Sequence, residues 1–279
     1  MSEPRLPVEL ERKIFELAAH SHSKSIPILF LVAHRVKLWL EPILYSVVVF
    51  SDPLPGHVCF EPTHFTSAIQ SQAISEHVTN LFIPFDSKQA PDLDLDLILA
   101  SCSAVQNLVL FPKQTDLLPF LSSMPLRRLT IPLDDVFSPA NIDFLHPLFS
   151  HITHLELMDG PLDNSRWEEY SGLALLPNLT HLSFLVQRSL RIFQGALAAC
   201  PALQVLVALY WKFHVFDPAM GLESLGQDTR FVCMPAPSFA QDWQIGARGG
   251  EDFWVRAEKF IAQRVSGQID RGTFVLREG

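Results

Sequence analysis

A short apolar phrase recurs along this chain and constrains its fold more than any other feature. Each copy has a leucine followed two residues later by a second apolar residue, as in Val-Gln-Asn-Leu-Val-Leu at 105–110 and Ile-Thr-His-Leu-Glu-Leu at 152–157. Successive anchor leucines are 21 to 27 residues apart, and they are Leu81, Leu108, Leu129, Leu155, Leu182 and Leu206. Self-similarity at such a period indicates a stacked repeat architecture in which neighbouring copies share one core. Proteins of this kind usually bind other molecules and rarely catalyse reactions.

The phrases have the pattern of β-strands, and the stretches between them have the pattern of helices. Side chains alternate along a strand, so each anchor leucine and the residue two places later share one face of the sheet, here called the first face. Helical spacing is found at 93–101, 117–121, 142–149, 167–175 and 190–199. A strand, a helix and a return form a right-handed crossover, which places successive strands parallel and adjacent. Residues 44–50 predict an additional first strand, and residues 229–235 predict a last one.

The residues that alternate with the anchors lie on the opposite side of the predicted sheet, here called the second face. Neighbouring strands are about 4.8 Å apart, so these side chains form ladders across the strands. Many of them are apolar, and an exposed apolar surface of this kind marks a partner site. Cover by a loop or by the C-terminal segment is the alternative explanation of the same composition. The residues predicted to bind a partner are Phe82, Val109, Phe111, Arg128, His154, Glu156, Met158, His181, Leu185, Val207 and Leu209.

The Leu-x-x-Leu-x-Leu phrase resembles the leucine-rich repeat over residues 77–237. The resemblance implies an α/β fold, a curved solenoid with a parallel sheet whose second face is concave. The asparagine or cysteine that the family has after each strand is replaced by Asp86, Lys113, Asp134 and Gly160, so we expect irregular repeats. An ordinary α/β sheet whose strands share the Leu-x-Leu pattern is the alternative.

The first 45 residues have the pattern of three short helices instead. Pro7 suits the first turn of a helix, where its missing N–H costs nothing. Leu10 and Ile14 follow at helical spacing, and the polar residues 20–25 end the helix. Pro27 is tolerated only near the start of a second helix.

This N-terminal segment resembles an F-box, in the abbreviated form that precedes leucine-rich repeats in large fungal families. The matching residues are Leu6-Pro7, Glu9-Leu10, Ile14-Phe15, Leu31-Val32 and Arg35, whereas Ala33 and Val36 replace the family's cysteine and tryptophan. The resemblance implies that Leu6, Pro7, Leu10 and Ile14 bind a Skp-type adaptor of a cullin ubiquitin ligase, while the repeats recruit an unknown protein substrate. An amphipathic cap that shields the first repeat of a stand-alone interaction scaffold is the alternative role.

The C-terminal segment completes the predicted domain organisation. Residues 239–250 predict a loop, and residues 251–265 predict an amphipathic helix that closes the last repeat. The expected parts are an F-box-like helical module at 1–45, an irregular leucine-rich-repeat solenoid at 46–237, and a C-terminal loop, capping helix and tail at 238–279.

Charge and composition argue against several classes of partner. The formal net charge is −9 and no basic run is longer than Arg127-Arg128, whereas nucleic-acid binding requires clustered Lys and Arg. The four cysteines stand far apart without a CxxC pair, which is typical of a reducing compartment. Neither a signal peptide nor an apolar stretch long enough for a bilayer is found. We therefore expect an intracellular protein, cytoplasmic or nuclear or both, with no nucleic-acid or membrane partner.

Motifs for catalysis are absent from the sequence. No GxGxxG, GxxxxGK[ST], GxSxG or HExxH pattern occurs. His154 and His181 could be neighbours in one ladder, but two imidazoles without a third ligand make a poor zinc site. We therefore expect no enzyme activity, no cofactor and no metal. A small-molecule binder or an enzyme with a pocket on the second face is a further alternative, whose candidate cluster is Arg128, His154, Glu156 and His181.

Overall fold

A computed structural model describes residues 6–84, 93–111, 117–137, 141–159, 167–185, 190–210 and 221–277. The chain divides into two compact units, Met1–Val105 and Gln106–Gly279. Each unit combines helices with parallel strands, which confirms the predicted α/β class. Of the four positions named above for the missing asparagine or cysteine, 86, 113 and 160 lie outside the described residues.

The N-terminal unit begins with helices, as the sequence predicts. Their bounds are α1 Val8–Ser21, α2 Ile26–Leu29 and α3 His34–Tyr45, with one 3₁₀ turn between α1 and α2. Pro7 directly precedes α1, and its carbonyl accepts hydrogen bonds from Leu10 N and Glu11 N at 3.0 Å. Pro27 lies in the first turn of α2. These helices share a small core of Ala19, Ile26, Val36 and Leu40.

The rest of the described part of this unit contains two parallel strands and three further helices. The elements are β1 Val47–Val49, α4 Pro62–Ile69, α5 Gln72–Ser75, β2 Asn80–Phe82 and α6 Leu95–Ser101. β1 pairs with β2 so that Val48 lies beside the anchor Leu81. Both side chains are fully buried, so the predicted first strand is confirmed.

Six strands of the C-terminal unit lie side by side in chain order and are all parallel. Their bounds are β3 Asn107–Val109, β4 Arg128–Ile131, β5 His154–Leu157, β6 His181–Leu185, β7 Val205–Tyr210 and β8 Phe231–Pro235. The register aligns the anchors in one row, namely Leu108, Leu129, Leu155, Leu182, Leu206 and Phe231. All six are buried. The predicted row of anchors on a shared first face is therefore confirmed within this unit.

The helices between these strands vary more in length than the strands do. They are α7 Leu118–Ser123, α8 Trp167–Tyr170 and α9 Leu190–Ala199, with α8 followed by a 3₁₀ turn over Ser171–Leu175. The prediction of a helix at 142–149 was wrong, because only the 3₁₀ turn Pro147–Phe149 forms there. Pro147 has no N–H to donate and disfavours helical conformation in the residue before it.

The C-terminal segment forms two helices, α10 Phe239–Ala247 and α11 Phe253–Ser266. The prediction of a loop at 239–250 was therefore wrong for most of its length. α11 is the predicted amphipathic helix. The Asp252 carboxylate accepts a hydrogen bond from Val255 N at its N-terminus, and Gly267 ends it with a φ of +77°, a left-handed conformation that glycine adopts at little cost.

α11 packs on the second face of the last two strands. Its Phe253, Trp254, Ala257 and Phe260 form one buried cluster with second-face residues of β7 and β8, namely Val205, Val207, Leu209, Val232 and Met234. The strands of the C-terminal unit therefore have a buried apolar layer on each side in this region.

A buried arginine fixes the end of α11. Arg264 is 0% exposed, and its guanidinium donates hydrogen bonds to the carbonyls of Gly226, Phe231 and Arg271 at 2.6 to 2.7 Å. Burying a charge is costly unless hydrogen bonds replace its hydration. The carbonyls supply that replacement and connect α11 to β8 and to the chain beyond the helix.

Candidate functional site

The first candidate surface is the apolar side of the N-terminal helices. Leu6 is 45% exposed, Leu10 is 51% exposed and Ile14 is 55% exposed, and Pro7 is exposed as well. All four residues predicted to bind the adaptor are therefore accessible at the start of the chain. Burying such side chains against a partner contributes about 1.5–3 kcal/mol for a full Leu or Ile side chain.

Other exposed apolar side chains lie in the same segment of the chain. Nine of the thirteen large apolar side chains that are exposed in the described part of the chain fall within residues 6–38. Besides the residues already named, they are Val8, Leu17, Ile28, Leu31, Val32 and Leu38. Single exposed apolar residues are ordinary on protein surfaces, whereas a concentration in one short segment marks an interaction surface. We call these nine residues together with Pro7 the N-terminal apolar surface.

The N-terminal helices pack against one another through a different set of residues. Phe15 of α1 contacts Trp39 of α3 with ring centroids 6.5 Å apart. The core of these helices uses Ala19 and Val36, which are fully buried. An ion pair between Arg35 Nη2 and Glu11 Oε1, at 2.8 Å, also joins α3 to α1. None of these contacts involves a residue of the N-terminal apolar surface.

The second candidate surface is the second face of the C-terminal unit, which is largely covered. Val109, Glu156, His181, Val207 and Leu209 are buried, whereas the other predicted partner-binding residues of this unit, Phe111, Arg128, His154, Met158 and Leu185, are half-buried. In the N-terminal unit, Phe82 is also buried. The second face of the C-terminal unit therefore has the C-terminal segment over it, which is the alternative that the sequence left open.

Polar contacts as well as apolar ones hold α10 and α11 on this face. Arg128 Nη1 lies 3.0 Å from Asp252 Oδ2. Trp243 Nε1 of α10 donates a hydrogen bond to Asn107 Oδ1 at 3.1 Å. These contacts join residues more than a hundred positions apart in the chain.

Two histidines form the centre of the contact with α11. The rings of His154 and His181 stack with centroids 3.9 Å apart, and Trp254 meets both rings edge-on. Burial lowers the pKa of His154 to about 2, with smaller contributions from His181 and Arg128. Burial also lowers the pKa of His181, although its 2.9 Å hydrogen bond to Glu258 opposes the change. His154 is therefore neutral near pH 7, as a stack of two close imidazoles requires.

Metal binding finds no support in this arrangement. Within the described ranges, no three His, Cys, Asp or Glu side chains converge in the way that a metal ion needs. The same ranges contain no helix with the length and hydropathy to cross a bilayer.

A small cavity remains between the second face and the two C-terminal helices. Its volume is about 40 Å³, which is room for on the order of three water molecules. The sheet contributes Asn107, Arg128, Thr130, His154, Glu156, Met158, Leu185 and Leu209, and the C-terminal segment contributes Phe239, Asp242, Trp243, Asp252, Phe253 and Trp254. The structure thus gathers six of the residues predicted to bind a partner around one cavity.

Glu156 is the buried carboxyl group of this cavity. It is 4% exposed, and its Oε2 accepts a hydrogen bond from Thr130 Oγ1 at 2.9 Å. Burial, with smaller contributions from the nearby carboxylates of Asp242 and Asp252, raises the pKa of Glu156 to about 7, although the hydrogen bond from Thr130 opposes the change. Within the described part of the chain no cation pairs with Glu156, so it exchanges a proton near neutral pH.

The other two carboxyl groups of the cavity each have a cationic partner. Asp242 Oδ1 lies 2.8 Å from Arg256 Nη2, and its Oδ2 accepts a hydrogen bond from Phe253 N at 2.9 Å. Burial nevertheless raises the pKa of Asp242. Asp252 pairs with Arg128 as described above. Of the three carboxyl groups, Glu156 is therefore the one whose charge is left uncompensated.

Sequence reasoning missed the half of the cavity that α10 supplies. It placed Asp242 and Trp243 in a loop and gave neither a role. The aromatic and acidic residues in 239–254 were a usable signal, because large aromatic and carboxylate side chains seldom cluster in a plain connecting loop. The geometry therefore defines two candidate surfaces, one exposed and one nearly enclosed.

No family model matches this chain, and no curated protein matches it.

Proposed function

We propose that this protein is a substrate-recruiting subunit of a Skp–cullin–F-box ubiquitin ligase and that its N-terminal helices bind the adaptor. The exposure of the N-terminal apolar surface carries the proposal. Leu6, Leu10 and Ile14 are each about half exposed although they are apolar. Apolar side chains concentrated in this way favour a protein partner that removes them from water. The resemblance of residues 6–35 to an F-box suggests a Skp-type adaptor as that partner.

The alternative role as a cap has weaker support. A cap that shields the first repeat would bury Leu6 and Pro7 within the protein itself. Both residues are exposed, and the N-terminal helices have a separate small core around Val36. This favours adaptor binding over a scaffold whose first helices only close the stack.

In this proposal the C-terminal unit recruits the target protein and performs no chemistry itself. A tethered substrate has a high effective concentration near the ubiquitin-charged enzyme, which accelerates transfer without new catalytic groups. The second face was the expected recruiting surface. Because α10 and α11 cover much of this face, the cavity described above is the part of it that we assign to ligand contact.

Loss of adaptor binding after substitution at the N-terminus tests the proposal. The double change Leu6→Ala and Pro7→Ala should reduce binding to a purified Skp-type adaptor about tenfold or more, because each residue would be desolvated in the complex. Circular dichroism and urea unfolding should match the wild type, since both side chains are exposed. The matched control is the double change Leu145→Ala and Val265→Ala, which removes exposed apolar side chains from the other unit. Unchanged adaptor binding by the Leu6/Pro7 variant would contradict the proposal that the N-terminal helices bind the adaptor.

A further inference from the structure

We propose that the cavity on the second face binds the protonated amino group of a ligand, with Glu156 as its counter-charge and aromatic side chains as its walls. This inference is independent of adaptor binding, because it concerns residues of the C-terminal unit alone. It also goes beyond a generic small-molecule pocket, because it specifies the charge and the chemical class of the ligand.

Among the carboxyl groups of the cavity, Glu156 differs in having no cationic partner within the described residues. Asp252 is compensated by Arg128 and Asp242 by Arg256. Within the described residues, Glu156 Oε2 has only the Thr130 hydroxyl as a hydrogen-bond donor, and no donor is found for Oε1. A carboxylate that is 4% exposed is unfavourable without a hydrogen-bonded cation. An ammonium ion would provide both the charge and the missing donor.

The walls of the cavity are aromatic. Trp243, Phe253 and Trp254 line the cavity beside the acidic residues. Aromatic rings attract cations through their quadrupole, and tryptophan does so best. A negatively charged ligand would be repelled by the ionised carboxylates of this cavity. A protonated amine gains from the carboxylate and from the rings together.

The size of the cavity limits what enters it. A volume of about 40 Å³ admits an ammonium group with the last methylenes of an alkyl chain, since an ammonium group is close to a water molecule in size. The rest of a ligand must lie outside. Two sources share this chemistry, namely a free alkylamine and a lysine side chain presented by a protein.

Titration of the full-length protein with n-butylammonium chloride tests the inference. Tryptophan fluorescence is a direct probe, because Trp243 and Trp254 line the cavity. At pH 8 we expect a saturable change with n-butylammonium and none with 1-butanol, which has the same size and no charge. Sodium chloride at equal concentration controls for ionic strength.

A matched pair of variants assigns the effect to Glu156. Glu156→Gln keeps the shape and removes the charge, and should weaken n-butylammonium binding about tenfold or more. Glu251→Gln makes the same chemical change at an exposed residue that pairs with Lys259 outside the cavity lining, and should bind as the wild type does. Equal binding by Glu156→Gln and wild type would overturn the inference.

The wild-type protein alone offers a second measurement that does not depend on a variant's folding. Binding should weaken about tenfold or more between pH 8 and pH 5, because Glu156 is protonated at the lower pH. The charged and titratable groups that face Glu156 from the neighbouring elements are Arg128, His154, His181, Asp242, Asp252 and Arg256. His154 stays neutral over this range, because its pKa is about 2. Binding that is equally strong at pH 5, or no saturable response at pH 8, would also contradict the inference.

Peptides distinguish the two sources of the amine. The probes are a blocked tripeptide Ala-Lys-Ala and the same peptide with acetyl-lysine, which has no charge. Tighter binding of the lysine peptide than of n-butylammonium assigns the cavity to a protein ligand, and the reverse order assigns it to a free amine. Binding of the acetyl-lysine peptide as tight as that of the lysine peptide would refute the requirement for charge.

Discussion

Helices α1 and α11 have the same length and similar amphipathic patterns, yet they differ in how far their apolar residues are buried. Each contains 14 residues. α11 buries Phe253, Trp254, Ala257 and Phe260, whereas the one residue that is buried in α1 is Ala19. Leu10 and Ile14 of α1 stay more than half exposed.

The difference shows that an amphipathic pattern alone does not reveal what a helix packs against. The apolar side of α11 is satisfied within the chain, by the second face of β7 and β8. Most of the large apolar side chains of α1 are exposed instead. Their exposure is the reason to propose an external partner for this helix. Substitutions at corresponding places in the two helices should therefore differ in what they damage, namely stability in α11 and binding in α1.

The largest loss of stability is expected at the buried guanidinium of α11. Arg264→Met should lower the free energy of unfolding by about 4 kcal/mol, because several buried carbonyls lose their donor together. Arg191→Met is the matched control, since Arg191 is an exposed arginine at a helix start whose ion pair with Glu168 lies at the surface. Urea unfolding measures both. If Arg264→Met unfolds at the same urea concentration as Arg191→Met, the guanidinium does not fix the end of α11.

A paired truncation tests the comparison of the two helices directly. Phe260→Ala in α11 should cost about 3 kcal/mol of stability, because it leaves a cavity in a packed cluster. Ile14→Ala in α1 should change stability by less than about 0.5 kcal/mol, because the side chain is 55% exposed. The same Ile14 variant should bind the adaptor more weakly. Equal losses of stability in the two variants would contradict the difference in packing between Phe260 and Ile14.

The pH dependence of stability should differ between wild type and Glu156→Gln. Burial raises the pKa of Glu156 from its ordinary 4.5 to about 7, so the folded protein holds the proton more tightly than the unfolded chain. The contribution of this group is therefore most favourable below pH 4.5 and is lost as the pH rises to 7. Between pH 5 and pH 8 the wild type should lose about 2.5 kcal/mol relative to the variant.

Urea unfolding of both proteins at the two pH values checks this difference. Comparing wild type with variant cancels the opposite trend from His154, whose lowered pKa removes stability as the pH falls below 6.5. A constant difference between the two proteins across this range would mean that Glu156 is ionised throughout.

The smallest effect is expected at the outer edge of the contact between α11 and the sheet. Glu258→Gln should lower stability by about 0.5 kcal/mol, because the Glu258 side chain is half exposed and its hydrogen bond to His181 is partly solvated. Thermal unfolding is sensitive enough to measure such a change. A loss several times larger would show that this edge, rather than the buried cluster around Phe260, holds α11 in place.

Much of the fold was predictable because its determinants are local. The alternation around each anchor predicted the strands, and the register of Leu108, Leu155 and Leu206 in one row confirms it. The weak final strand at 229–235 was found from the same pattern. The prediction of a helix at 142–149 was wrong because a single proline outweighed the apolar spacing. The helix α10 was not predicted because its apolar periodicity is short and is followed by a glycine pair.

The candidate sites divide in the same way. Local patterns were enough to predict which residues alternate, which share a face and where α1 begins, since these follow from the geometry of a strand or a helix over a few residues. The cover over the second face and the place of Glu156 in a cavity depend instead on contacts between distant parts of the chain. The contacts responsible join residues 124 and 136 positions apart, Arg128 with Asp252 and Asn107 with Trp243. Burial depends on what the rest of the chain places over a residue, and no local pattern contains that information.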